Sequence, residues 1–215
     1  MTANGLETPS RRDLRRERHQ ELSRAQLLDA AERVFGEKGF HDATLNEIAE
    51  LAEYSVGSVY SFFEGKEDLF SQVFVRRGDE FMPEMRAILK GKGSAADKLH
   101  RLVEFQVGFF REHPQFGRLF LRYANVALVS EPGELDASIA GNYDESMRLQ
   151  TDLFSRGQRS GHFRPGDPAV LAHLFSGLIA SYQALDPPVI SDQPDAPERL
   201  PLEELHQLVT RAFEG

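Results

Sequence analysis

TLNEIAELAEYSVGSVYSFFEGKEDLF, residues 44–70, reads as two short helices set almost end to end. Thr44, followed three places later by Glu47, forms the reciprocal capping pattern that opens a helix, and Leu45, Ile48, Ala49 and Ala52 then share one helical face. Ser55 can cap the second helix, whose apolar stripe is Val56, Val59, Tyr60 and Phe63. Gly57 lies near its start, where a missing side chain lets another backbone come close. Only Glu53 and Tyr54 separate the two helices. Helices joined by so tight a turn form a helix-turn-helix, whose second helix fits a DNA major groove.

Working outward, Ser23 with Gln26 predicts a preceding helix with the stripe Leu27, Leu28, Ala31, Val34 and Phe35, ending near Gly39. Its apolar face would close a small core with Leu45, Ile48, Val59 and Phe63. Residues 1–22 carry a Gly/Thr/Pro/Ser stretch and then RRDLRRERHQE, and are expected to form a flexible Arg-rich arm lying on DNA, or else a solvated extension of that first helix. After Gly65, Lys66 opens a further helix through Leu69, Phe70, Val73 and Phe74, in which Pro83 predicts a kink or restart. A lysine at a helix start opposes the macrodipole, a conflict that a DNA phosphate would remove.

The order Thr44, Ile48-Ala49, Ala52, Ser55-Val56-Gly57-Ser58, Tyr60, Phe63, Lys66-Glu67 and Leu69 resembles the DNA-binding domain of TetR-family transcriptional regulators. The likeness covers about a third of the chain. It implies an all-α protein: an N-terminal three-helix unit over residues 23–80, then a larger helical domain over residues 81–215 for effector binding and dimerisation. It places DNA contacts at Thr44, Ser55, Val56, Gly57, Ser58 and Tyr60, with Lys66 on the phosphate backbone. Three positions depart from the family pattern. Glu53 stands where the turn usually has glycine, Phe62 where His or Tyr is common, and Val56 where a polar residue is frequent.

The remainder also reads as helix. Ser94 with Asp97 opens a segment whose Leu99, Leu102, Val103, Gln106, Phe109 and Phe110 share a face up to His113-Pro114. Phe116, Leu119, Phe120, Tyr123, Ala124, Ala127 and Leu128 follow, then a break at Glu131-Pro132-Gly133 and a stripe of Leu135, Ile139, Tyr143, Met147, Leu153 and Phe154. Asp167-Pro168 opens a helix with small residues at Ala172, Ser176, Ala180 and Ala184, and a proline-rich loop at 186–201 precedes a last amphipathic helix. Two such helices can pair with their copies as a four-helix bundle, the homodimer interface that the family resemblance implies.

Composition narrows the chemistry. The chain has 215 residues and no cysteine, so disulfides and thiolate metal sites are excluded, which suits the cytoplasm. No stretch reads as a membrane span, because the longest uncharged run, Pro168 to Leu185, holds His173, Ser176, Ser181 and Gln183. The seven histidines show no metal-ligand spacing and no phosphate loop or nucleophile elbow is present, so neither an enzyme nor a cofactor is expected. The formal charge is −9, and residues 40–70 hold one Lys against seven Asp and Glu, a net of −6. DNA affinity must therefore come from geometry and from outside this unit, chiefly Arg11, Arg12, Arg15, Arg16, Arg18 and Arg24.

The expected function is a ligand-responsive regulator, a repressor or activator that binds a palindromic double-stranded operator as a homodimer and responds to an apolar or aromatic small molecule. Candidate effector contacts are Gln106, Phe109, Phe120, Tyr123, His173 and Tyr182, within an aromatic wall that also includes Phe105, Phe110, Phe116 and Phe175; Arg122 and Asn125 are further polar candidates. The rival reading is an acidic all-helical interaction protein whose helix-turn-helix no longer binds DNA.

Overall fold

The computed structural model describes residues 10–129, 137–191, 197 and 199–215, with the side chains of 124–129 and 137–138 left out. Among these residues the chain forms α1 (Arg11–Asp42), α2 (Leu45–Leu51), α3 (Val56–Val59), α4 (Lys66–Lys90), α5 (Ala95–Glu112), α6 (Pro114–Val129), α7 (Ala137–Arg159), α8 (Pro168–Gln183), α9 (Pro187–Ile190) and α10 (Leu202–Phe213). The expected break at Glu131-Pro132-Gly133, Leu135 and most of the proline-rich loop lie outside the described residues. None of the described helices is long and apolar enough to cross a membrane.

Helix starts fall where the caps stand in the sequence. Thr44 and Glu47 close a reciprocal box on α2, Ser94 and Asp97 do so on α5, Ser55 caps α3, and Asp167 caps α8 ahead of Pro168. The first helix is the exception. It begins at Arg11 rather than Ser23, because Ser10 and Asp13 supply an earlier box and no breaker follows before Gly39. The arm expected over residues 1–22 is therefore helical from Arg11 onward. Ser23 cannot cap: it is buried, its hydroxyl donates to the His19 carbonyl at 2.9 Å, and the Tyr54 hydroxyl lies 2.9 Å away.

Gly39 sits at φ 81°, where the helical rise of α1 is interrupted, so its lack of a Cβ is what the turn requires. Glu53, which stands where the family pattern has glycine, takes a left-handed conformation at φ 60°, at a cost on the order of 1 kcal/mol. The kink or restart expected at Pro83 is not found, and α4 runs on as one helix. The carbonyl that Pro83 leaves without an amide belongs to Asp79, and both residues are exposed, so water can satisfy it.

Two apolar cores meet along α4 and α5. One gathers Leu27, Ala31, Phe35, Ile48, Val59, Phe63, Leu69 and Val73 around the helix-turn-helix and continues into Phe110, Phe116 and Leu119 of α5 and α6. The other joins Met85, Leu89, Leu102, Phe154, Phe175 and Leu205 from α4, α5, α7, α8 and α10. Each fully buried Leu or Phe contributes roughly 1.5–3 kcal/mol, so neither half of the chain stands without the shared helices. Of the small residues read along α8, Ala172 is buried, Ser176 donates to Gln150 Oε1 on α7 at 3.0 Å and Ala180 lines the space beside α7, while Ala184 lies exposed at the cap.

Between the cores, Glu32 on α1 is 5% exposed and accepts from Arg76 at 2.9 Å and from Arg77 at 2.8 and 3.0 Å. His113 lies against this network, 3.6 Å from Glu80. Burial, reinforced by the Arg77 charge, outweighs the nearby carboxylates and holds the His113 pKa below its ordinary 6.5. The unfolded chain thus takes up this proton first, so the associated stability is complete above pH 6.5 and is lost as pH falls from there through the lowered native value. Urea midpoints at pH 7.5 and 5.5 should differ less for His113→Gln than for the wild type; an unchanged difference would show that His113 is not the group concerned.

Candidate nucleic-acid interface and ligand cavity

The α2–α3 unit presents Thr44, Ser55, Gly57 and Tyr60 to solvent, with Val56 and Ser58 half-buried and Val59 and Phe63 turned into the core. Tyr60 is 59% exposed, so its ring is not the half-core residue that the apolar stripe allowed. The hydroxyls of Thr44 and Ser55 serve as caps here. Thr44 Oγ1 accepts from the Glu47 amide and donates to its carboxylate, and Ser55 Oγ accepts from the Ser58 amide. A Cβ built on Gly57 would meet only Ser55 Oγ at an ordinary 3.7 Å, so packing within the chain does not call for glycine there. Ser61, which the sequence reading passed over, is exposed beside Tyr60 and donates to the Gly57 carbonyl at 3.1 Å.

Lys66 is placed differently from expectation. Its ammonium donates to the carbonyls of Phe40 (2.9 Å), Ala43 (3.1 Å) and His41 (3.4 Å) and lies 4.6 Å from the Phe40 ring centroid. All three protons are thus spent on the carbonyls that the end of α1 leaves open, so the phosphate contact assigned to Lys66 is corrected to a structural role. Of the arginines expected to carry DNA affinity, Arg11, Arg12, Arg15, Arg16 and Arg18 line the exposed first turns of α1. Arg24 is engaged within the fold, bonded to Gln72 at 2.7 Å and 5.2 Å from the Phe63 centroid.

A cavity of about 180 Å³ lies between α4, α5, α6, α7 and α8. Gln106, Phe120 and Tyr123 line it as expected, with Phe110 and Phe116 of the wider wall. Phe109, Tyr182 and His173 do not. Phe109 is turned toward Phe81 and His113, with centroids 5.0 and 4.7 Å away, while its neighbour Phe110 takes the cavity face one helical step on from Gln106. Tyr182 is buried with its hydroxyl accepting from Arg111 at 3.0 Å, and Ile179 and Gln183 occupy the cavity side of α8. His173 is exposed on the outward face of α8 and donates to the Ala169 carbonyl at 2.9 Å. Arg122 reaches the Glu37 carbonyl instead, at 2.9 Å, and the Asn125 side chain lies outside those described.

The lining residues missed in the sequence include Phe70, Phe74, Arg77, Gly78 and Phe81 of α4, Ile179 and Gln183 of α8 and, on α7, Asn142, Ser146 and Gln150. The last three recur every four places beside the apolar stripe of Tyr143 and Met147, a legible line of small polar residues.

Two lining residues also grip α1. The Tyr123 hydroxyl accepts from the Phe40 amide at 3.0 Å, in the turn that Lys66 holds, and Arg77 carries the buried Glu32. The contact between α1 and α6 depends on Gly36, where any Cβ would come within 2.5 Å of the Gln115 carbonyl oxygen.

Three comparisons accord with this geometry. The family profile for bacterial regulatory proteins of the tetR family matches residues 27–73. The fatty acid metabolism regulator protein of Bacillus subtilis (strain 168) is 34% identical over 158 residues, which are 72% of this chain and 78% of that protein. Among solved structures, the ketosteroid transcriptional regulator KstR2 of Mycobacterium tuberculosis superimposes with a TM-score of 0.70 at 20% identity, covering 89% of this chain and 95% of its own. A transcriptional regulator from Saccharomonospora viridis, solved in complex with choline, gives 0.67 at 19% identity over 91% and 99%.

Two substitutions separate folding from recognition at this surface. Lys66→Ala, which strips charge-assisted bonds from three carbonyls, should lower the unfolding free energy by about 2 kcal/mol in urea melts. Gly57→Ala should raise it by up to about 1 kcal/mol, yet weaken operator binding by blocking close approach of DNA. Wild-type affinity in Gly57→Ala would show that nothing approaches that face.

Proposed function

The chain belongs to the tetR family of bacterial regulatory proteins, a DNA-binding regulator of transcription, and on that premise we propose that it is an effector-released repressor acting as a homodimer on a palindromic operator. Each α3 enters a major groove, the two lying about 34 Å apart, with Ser55, Val56, Gly57, Ser58 and Tyr60 at the bases and phosphates and Thr44 at the backbone. The exposed arginines of α1 add sequence-independent attraction.

The dimer forms through α8 and α10. Val170 and Leu174 of α8, Leu185 just beyond its end and Leu208 of α10 are 41–59% exposed, apolar surface with no partner inside the described chain.

The observation that carries the effector reading is the double duty of Tyr123, which lines the cavity and holds the Phe40 amide. A molecule seated against Phe120 and Tyr123 works on α6, and any shift of α6 moves the end of α1 and the corner from which α2 starts. Differential affinity for the two arrangements then releases DNA. The name of the Bacillus subtilis relative supports an acyl or alkyl effector, in keeping with a wall of Phe, Met and Ile.

Mobility shifts with promoter-flanking DNA across a salt series test the reading. Tyr60→Ala should lose specific binding, and replacing Arg11, Arg12, Arg15 and Arg16 by Gln removes eight charges per dimer and should flatten the slope of log K against log salt by up to roughly 7. A wild type that binds no better than Tyr60→Ala at low salt would remove DNA recognition and restore the interaction-protein reading. Once an effector is in hand, Tyr123→Phe should bind it with little change but respond to it several-fold less in DNA release; an unaltered response would place the coupling elsewhere.

A further inference from the structure

Three glutamines reach the cavity from separate helices, Gln106 on α5, Gln150 on α7 and Gln183 on α8. Gln150 is satisfied by the protein: its Nε2 donates to Ser146 Oγ at 3.1 Å and its Oε1 accepts from Ser176 at 3.0 Å. The other two are not. Gln106 Oε1 and Gln183 Nε2 have no partner, although the residues are only 8% and 2% exposed. A buried amide atom without a partner costs about 1–3 kcal/mol, and native interiors leave few of them. Two such atoms, one acceptor and one donor, on residues lining the same cavity mark a missing polar occupant.

Charge decides what that occupant is. Among the described residues lining the cavity Arg77 is the one that is charged, and its guanidinium is already held by Glu32 and by Glu80. No unpaired cation is left for an acid. We propose that the cavity reads an uncharged head group that both donates and accepts hydrogen bonds, a carboxamide, hydroxyl or undissociated carboxyl, on a hydrocarbon body packed against Phe74, Phe81, Phe120 and Met147. Gln106 and Gln183 are the head-group readers. A carboxylate or a phosphate-bearing thioester brings a charge into a wall with no counter-charge and is disfavoured by its desolvation. This inference rests on the effector reading and narrows it.

Isothermal titration of the full chain with decanamide, decan-1-ol, decanoate and decanoyl-CoA at pH 7.5 tests it. Decanamide should bind roughly tenfold or more tightly than decanoate, since the charged head leaves both glutamines and its own charge uncompensated. Decanoate should tighten as pH falls toward the carboxyl pKa, because the neutral acid is the bound form. Gln106→Leu and Gln183→Leu, near in size to the wild type, should each erase most of the amide's advantage; if either unfolds, the wild-type ranking and its pH trend decide alone. Decanoate or decanoyl-CoA binding as tightly as decanamide, or no probe binding at all, overturns the assignment. Operator binding measured on the same preparation keeps the outcomes apart. Specific DNA binding with the wrong ligand ranking refutes the head-group reading alone, whereas ligand binding without specific DNA binding refutes the regulator reading.

Discussion

One ammonium group holds the corner from which the DNA-binding unit hangs. Past the interruption of α1 at Gly39 and before α2 begins, Lys66 Nζ donates to the carbonyls of Phe40, His41 and Ala43, which the end of the helix leaves open. The lysine opens α4, where the helix dipole disfavours a cation. The ends of three carbonyl dipoles supply the missing negative pole from the protein itself, so no phosphate is needed to explain the residue. Because α3 is strung between α2 and α4, pinning the start of α4 to the end of α1 fixes the angle at which α3 meets a groove.

The same helix carries that constraint toward the cavity. Along α4, Lys66 grips the α1–α2 corner, Arg77 grips Glu32 near the middle of α1, and Arg86 pairs with Glu145 on α7 through two bonds of 2.7 and 2.6 Å. Without Arg77 the buried Glu32 would keep Arg76 alone as its partner, so α1 and α4 are joined by a shared ion-pair network rather than by one bond. The α1–α6 contact is of another kind. It is a close approach of Gly36 to Gln115, tied by Tyr123 to Phe40 and by Arg122 to Glu37, with single hydrogen bonds worth about 1 kcal/mol each. What lies against Phe120 and Tyr123 in the cavity lies against the helix that makes this contact.

How much of this was legible in the sequence follows from the range of each interaction. Caps and apolar stripes act over three or four residues, so Thr44, Ser55, Ser94 and Asp167 could be read directly, as could the strained Glu53. Ser10-Arg11-Arg12-Asp13 carries the same capping signal as Ser23 and Gln26, and only the burial of Ser23 under Tyr54 decides between them. Lys66 was misread because its partners lie more than twenty residues away in a turn whose open carbonyls no local pattern announces. At the cavity, aromatic residues were chosen for their chemistry when helical phase was the deciding variable: Phe110 faces the cavity and Phe109 does not, Gln183 does and Tyr182 does not.

The acidity of residues 40–70 remains the strongest physical objection to DNA binding, and the structure weakens it residue by residue. Glu47 is spent on the Thr44 amide and hydroxyl and on Lys38, and its pKa is lowered first by that lysine and then by Thr44. Asp68 accepts from the Glu64 amide at 2.9 Å and so helps to start α4. Carboxylates that cap helix N-termini meet the positive ends of those dipoles, which offsets part of the field they would project toward a phosphate. Asp42, Glu50, Glu53, Glu64 and Glu67 stay exposed, and so do five arginines on the first turns of α1, with Glu17 and Glu21 among them. The balance that matters to a duplex is set by which charges are free at the surface, and there the arginines of α1 offset a large part of the acids left over from capping.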